Sequence, residues 1–177
     1  MNRLRLPRAA LLLVVLAGLL GVGLVAFTAS GKARAQTAVG ACGDPSAPYA
    51  EVQIDGRPRI NLQLARTEQE RETGLMYVDN MPTNKGMLFV YTAPSTESYW
   101  MYHTLIPLSI AWIGQDGTIV DIQDMPRLDD PNNMQEAANT VYTPAGAYWY
   151  ALEVNEGWFV QNGVSVGQQM VFCLGGA

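Results

Sequence analysis

One histidine and two cysteines stand in 177 residues. That scarcity removes several chemistries at once. A serine–histidine–carboxylate triad would have to use His103, and no Gly-x-Ser-x-Gly elbow accompanies it. The serines (Ser46, Ser95, Ser98, Ser109, Ser165) fall mostly in loop-like context. A zinc centre of ordinary composition needs more imidazoles and thiolates than the chain holds. Cys42 and Cys173 lie near opposite ends of the chain with no Cys-x-x-Cys, which disfavours a redox or metal pair. No cofactor is expected.

Positive charge is scarce as well. Five of the 11 Lys+Arg (Arg3, Arg5, Arg8, Lys32, Arg34) precede Gln36, and none of the 16 Asp+Glu does, so residues 36–177 carry a formal charge of −10. Such a surface repels phosphate backbones, and nucleic-acid binding is not expected. It suits solubility or cationic partners.

What the front of the chain does have is a targeting pattern. Three arginines precede an uncharged run from Ala9 to Phe27, and Ala33-Arg34-Ala35 offers a small-x-small cleavage site before Gln36. The reading is a signal peptide over residues 1–35. The alternative is an uncleaved anchor, since the run is about long enough to cross a bilayer; membrane contact would then be confined to residues 9–27. Either way the remainder is secreted or held in the cell envelope, on the extracytoplasmic side. In that compartment an even cysteine pair is expected as a disulfide, Cys42–Cys173. It would close nearly the whole domain into one loop, for about 4–5 kcal/mol in the chain-entropy model.

Residues 36–48 are rich in Ala, Gly and Pro and read as a flexible tether. Residues 49–177 have the length of one domain. Glu51–Ile54 and Ile60–Leu64 alternate around Asp55-Gly56, a hairpin pattern. Thr67-Glu68-Gln69-Glu70 is a capping box, so a short helix should follow and end near Gly74 or Met76. Met87–Tyr91, Tyr99–Thr104, Leu108–Ile113, Thr118–Met125, Ala147–Val154 and Gln169–Leu174 read as strands. Gln115-Asp116-Gly117 reads as a hairpin turn and Gly157–Asn162 as a short helix. Residues 126–139 form the one long polar loop. The expected class is α+β, a mainly antiparallel, barrel-like sheet with one or two short helices.

Four blocks carry a resemblance: Gly74-Leu75-Met76, Gly86-Met87-Leu88-Phe89, Tyr99–Leu108, and Leu152-Glu153-Val154-Asn155-Glu156-Gly157. In this order the chain, over about residues 50–174, resembles the domain-of-unknown-function 192 family of small, often exported bacterial and archaeal domains. The resemblance implies the same architecture but no reaction. It keeps methionine at Met76, Met87 and Met101. This chain departs from it at Tyr102-His103, where the family usually has Lys-Asn, and at Ser109, where Asp is common.

The groups with chemistry to offer are few. Glu153 sits inside an apolar strand; on a solvent face it needs nothing, whereas buried it would need a partner such as Arg66, Lys85 or a ring of hydroxyls and amides. Glu153 with Glu156, Asp121 with Asp124, and Asp129 with Asp130 are the carboxylate pairs a glycosidase could use, and clustered acids in loops are usually solvated. Met101 and His103, on one face if 99–104 is a strand, form a soft set suited to copper, although methionine is a routine core filler. Exposed aromatics on an exported β-domain can stack on sugars or hold a peptide. The expected function is therefore non-catalytic binding of a small ligand, glycan or peptide through a patch of Trp100, Tyr102, Thr104, Tyr142 and Glu153, with Met76 at its edge. The alternatives are an envelope hydrolase with a carboxylate acid/base and a soft-metal protein using Met101 and His103.

Overall fold

The alternating and apolar runs assemble into strands β1 (Val39–Gly40), β2 (Tyr49–Ile54), β3 (Ile60–Ala65), β4 (Lys85–Ser95), β5 (Leu108–Ile113), β6 (Ile119–Met125), β7 (Tyr148–Asn155) and β8 (Met170–Leu174). Residues 39–40, 49–54 and 60–174 are described by the computed structural model, with backbone alone at 39–40, 49–54 and 173–174. All of them belong to the unit Arg34–Ala177. The expected leader, the cleavage site and most of the tether lie outside the described residues. So does Cys42, and with it the expected disulfide. Among the described residues no helix is long and apolar enough to cross a membrane.

The strands form one mixed sheet in the order β1-β8-β2-β3-β4-β7-β5-β6. Most neighbours are antiparallel; β1/β8 and β3/β4 are parallel. The β3-to-β4 crossover carries helix α1 (Glu68–Thr73), so the two strands arrive side by side in the same direction. The barrel-like expectation is corrected: the sheet is open. The start of β6 meets the start of β8 only through the isolated bridge Thr118↔Gln169. Closure is unnecessary because both faces are covered, as in other sheets buried on two sides.

One face packs Leu62, Leu88, Ala111, Leu152 and Val154 beneath Trp158 and Phe159 of α3 (Trp158–Gln161). The other packs Met87, Phe89, Ile110, Trp112 and Ala151 beneath Leu75, Met101, Leu128 and Ala137. Ala137 belongs to α2 (Met134–Asn139), which the sequence reading left inside a loop. Its signal is local: the Asn133 side chain accepts hydrogen bonds from the amides of Gln135 and Glu136, each at 3.1 Å. There are thus three short helices among the described residues rather than one or two.

The second correction concerns residues 99–107. They do not form a strand. Only Tyr99 pairs, in an isolated bridge to Tyr142. The chain then turns at Tyr102-His103, where His103 has φ +54°. A left-handed residue ends extended pairing, so the two-residue alternation stops there. Pro107 follows, and β5 begins at Leu108.

Candidate functional site

Glu153 lies near the end of the central strand β7, opposite Met87 of β4 and Ile110 of β5. Its face is the one roofed by residues 71–76 and 99–104. The strands close tightly here. A Cβ at Gly86 would come within 2.5 Å of the Glu153 carbonyl oxygen, so only glycine lets β4 and β7 meet at this level. The roof is fixed just as locally. Thr67 and Glu70 form the expected capping box at the start of α1, and Gly74, at φ +49°, ends that helix where a Cβ would come within 3.4 Å of the Phe89 ring. The Glu70 carboxyl accepts from the backbone amides of Thr67 and Arg66, which holds it below the usual carboxylate range.

Between the two roof segments runs a narrow cleft of about 40 Å³, lined by residues that include Glu72, Thr104, Tyr102 and Glu153. It continues into a groove of about 620 Å³ that reaches Glu68, Tyr91, Glu97 and Met134. Arg71, Glu72, Met76, Tyr99, Trp100 and Tyr102 line both. Glu153 is only 5% exposed. None of the partners the sequence offered, Arg66, Lys85 or a hydroxyl ring, hydrogen-bonds its carboxyl. Burial alone acts on it and pushes it up to about 8. At neutral pH it is therefore largely a neutral acid at the base of the cleft.

The other acids are engaged in ordinary structural bonds. Asp121 accepts from the amides of Ile122 and Ala145 and from the Gln123 side chain. Asp124 accepts from the Ser109 hydroxyl, which itself accepts from the Gly157 amide at 2.8 Å and so ties β5 to the start of α3. Asp130 accepts from Asn132. Asp129 and Glu156 are exposed.

Behind the groove stand three tyrosines. The Tyr91 and Tyr99 hydroxyls are 3.0 Å apart, and the Tyr148 hydroxyl donates to the Glu97 carbonyl at 3.0 Å. Burial, with the neighbouring phenols, raises Tyr99 far above its usual range, and burial raises Tyr148 as well. The Arg71 guanidinium lies 4.8 Å from the Tyr91 ring centroid and donates to the carbonyls of Arg66 and Val90. One nitrogen of the groove's cation, Nη1, is thus held by its own scaffold.

The outer lip is aromatic and strained. Trp100 is 41% exposed, and its ring centroid is 5.5 Å from that of Tyr102, which stacks on His103 at 3.8 Å. Tyr77, at φ +65°, faces His103: its amide donates to the His103 carbonyl at 2.9 Å and its hydroxyl bonds His103 Nδ1. The His103 amide in turn donates to the Pro131 carbonyl at 2.7 Å. Two non-glycine residues in left-handed backbone, fastened to each other, hold the two roof segments together.

Of the residues singled out in sequence, Met76, Trp100, Tyr102, Thr104 and Glu153 all line the cleft. Tyr142 does not; it supports the site from outside by exchanging two backbone hydrogen bonds with Tyr99. Met101 and His103 part company because residues 99–104 are not a strand. Met101 is wholly buried under the roof, while His103 is half-buried at the lip with Nδ1 taken by Tyr77. Sequence reasoning missed Arg71, Glu72, Tyr91 and Tyr99 as lining residues. The capping box that positions α1 was the available signal for the first two.

Two solved structures share this fold. One is a candidate transcription regulator from Sinorhizobium meliloti 1021, with TM-score 0.58 and 28% identity over 69% of this chain and 90% of that one. The other is a protein of unknown function from Novosphingobium aromaticivorans DSM 12444, with TM-score 0.59 and 28% identity over 69% of this chain and 82% of that one. No curated protein matches the sequence. The profile of the family DUF192, described as "Uncharacterized ACR", matches residues 50–172, from β2 to β8, and the chain belongs to that family.

Proposed function

We propose that this is an extracytoplasmic ligand-binding domain, secreted or held in the cell envelope, whose site is the aromatic groove with Glu153 at its inner end. One observation carries the reading: a buried carboxyl with no hydrogen-bond partner among the described residues lines a cleft shared with Trp100 and Tyr102. A buried acid without a partner destabilises the fold. Its retention is reasonable where a ligand completes its hydrogen bonding, and perturbed groups of this kind concentrate at functional sites. Exposed Trp and Tyr supply large flat contact area beside it, the usual composition of glycan and peptide sites.

The Sinorhizobium structure's description names transcription regulation. Here the groove sets Glu68, Glu72 and Glu97 around the single cation Arg71, the wrong balance for a phosphate backbone. A second reading, an envelope hydrolase, draws on the same raised carboxyl. Glu153 would be the general acid, and Glu72 is the other carboxylate lining the cleft.

Glycan and peptide arrays probed with the intact chain and with Trp100→Ala test the binding reading. The expected result is a hit that Trp100→Ala weakens at least tenfold while its melting transition stays cooperative. Hits that ignore both Trp100→Ala and Glu153→Gln would remove it. Cleavage of an array ligand, lost in both Glu153→Gln and Glu72→Gln, would favour the hydrolase.

A further inference from the structure

Resting on that reading, we propose that the inner cleft receives the ammonium head of an unbranched primary amine, with its alkyl stem lying along the groove against Trp100, Tyr102 and Met76.

Size is the first argument. One water needs roughly 10–15 Å³ of accessible space in a cavity. A cleft of about 40 Å³ therefore holds one small head group and excludes a sugar ring. The groove outside it, about 620 Å³, has room for the rest of a ligand.

Polarity is the second. Apart from Arg71, the charged side chains lining the cleft are carboxyls: Glu153 at its base and Glu72 toward the rim. The Thr104 hydroxyl is 95% buried and makes only a long, 3.4 Å bond to the Tyr102 carbonyl. Arg71 holds two backbone carbonyls through one nitrogen, Nη1, and lies over the Tyr91 ring. Glu153 and Thr104 still present acceptor atoms in want of a donor, and an ammonium brings three N–H groups and no acceptor. A carboxylate or phosphate ligand would meet two carboxyls against one guanidinium.

The walls are the third. Phe89, Tyr99 and Tyr102 line the cleft. Aromatic faces attract cations, and Arg71 over Tyr91 already shows the groove using that interaction. The net charge of −10 over residues 36–177 adds a long-range attraction of the same sign.

The proton balance follows. A neutral Glu153 carboxyl facing an ammonium ionises: its O–H bond breaks, the proton passes to solvent, and a carboxylate–ammonium pair remains. The titratable groups around it are Arg71 and Glu72 from the α1 side and Tyr99 and Tyr102 from the 99–104 segment. Strands β4 and β5 face it with Met87 and Ile110, which do not titrate. Glu153 is the group among these that can supply the proton at pH 7.

Isothermal titration of the intact chain with n-pentylamine and n-pentanol, in two buffers of different ionisation enthalpy, tests this. The amine should bind at least tenfold more tightly than the alcohol and release close to one proton at pH 7. Glu153→Gln should erase both the preference and the proton release. Nα-acetyl-lysine methylamide and 1,5-diaminopentane distinguish a lysine side chain from a free diamine as the source. Equal binding of amine and alcohol, or an unchanged preference in Glu153→Gln, overturns the proposal. A neutral oligosaccharide such as chitotriose that binds through Trp100 while the amines do not would sink the amine and leave the binding domain standing. No binding of any of these probes sinks the amine proposal; if the arrays also give no hit sensitive to Trp100, the binding reading falls with it.

Discussion

The two faces of the sheet are built from the same strands yet spend their residues differently. The face under α3 is almost wholly apolar: Leu62, Leu88, Leu152 and Val154 pack against Trp158, Phe159 and Phe172, and its buried polar side chain, Ser109, is hydrogen-bonded to Asp124 and to the Gly157 amide. The face under residues 71–76 and 99–104 interrupts equally good packing with a neutral acid, Glu153, and with an indole N–H, that of Trp112, buried without a partner. Its roof adds two left-handed residues and a half-exposed tryptophan. One face is optimised for stability. The other gives stability up at particular points, and two of them, Glu153 and Trp100, line one cleft. Local conflict of this kind is the physical mark of a site.

The sharpest way to test the contrast is to remove a side chain from each face in the same strand. Leu152→Ala empties a fully buried position under α3 and should destabilise by about 2–5 kcal/mol. Its neighbour Glu153→Gln should do the opposite. An unfolded glutamate ionises near 4.5, whereas the native carboxyl holds its proton to about 8. Between those values the native state binds a proton the unfolded chain has released, so wild-type stability falls as pH rises and is lowest above pH 8. The full shift corresponds to roughly 5 kcal/mol as an upper figure. Glu153→Gln should therefore melt several degrees higher than wild type at pH 8 and level with it near pH 4. Thermal melts across that range read the effect; a variant that melts lower at every pH would mean Glu153 is stabilised by something other than burial.

Trp100→Ala comes next in size. From the sequence, Trp100 is expected at least half buried in a strand, with a truncation cost of 3–5 kcal/mol. It is at least half buried, but at 41% exposure and outside any strand it should cost about 1–2 kcal/mol. Chemical denaturation with an unchanged m-value would confirm a local loss; a cost above about 3 kcal/mol would make Trp100 scaffold rather than lip.

Much of the fold is legible because it is locally encoded. Leu108–Ile113 is apolar at every position but Ser109 and becomes β5 with those bounds. Asp116-Gly117 makes its turn with Gly117 at φ +85° and the Asp116 carboxyl accepting from the Thr118 amide. The Thr67–Glu70 box starts a helix that Gly74 ends. What is not legible depends on distant parts of the chain. An open sheet and a barrel have the same strand patterns and differ only in whether the edges meet. The burial of Glu153 depends on a roof contributed by residues 71–76 and 99–104, and a strand glutamate reads the same on a wet face. The 99–104 segment alternates like a strand, and nothing in its composition announces the left-handed turn that Tyr77 and Pro131 impose on His103.

That turn yields the smallest effect and separates backbone from side-chain chemistry. His103 stands at φ +54°, and asparagine is the ordinary non-glycine occupant of left-handed backbone. The position is therefore constrained first by conformation, and the imidazole is a local choice that adds the stack on Tyr102 and the bond to the Tyr77 hydroxyl. His103→Asn should change stability by no more than about 0.5 kcal/mol, whereas His103→Val, β-branched in the same backbone, should cost about 1–2 kcal/mol. If the two variants melt alike, the conformation carries no strain. If His103→Asn abolishes ligand binding at unchanged stability, the imidazole belongs to the site itself and the lip extends one residue further than Tyr102.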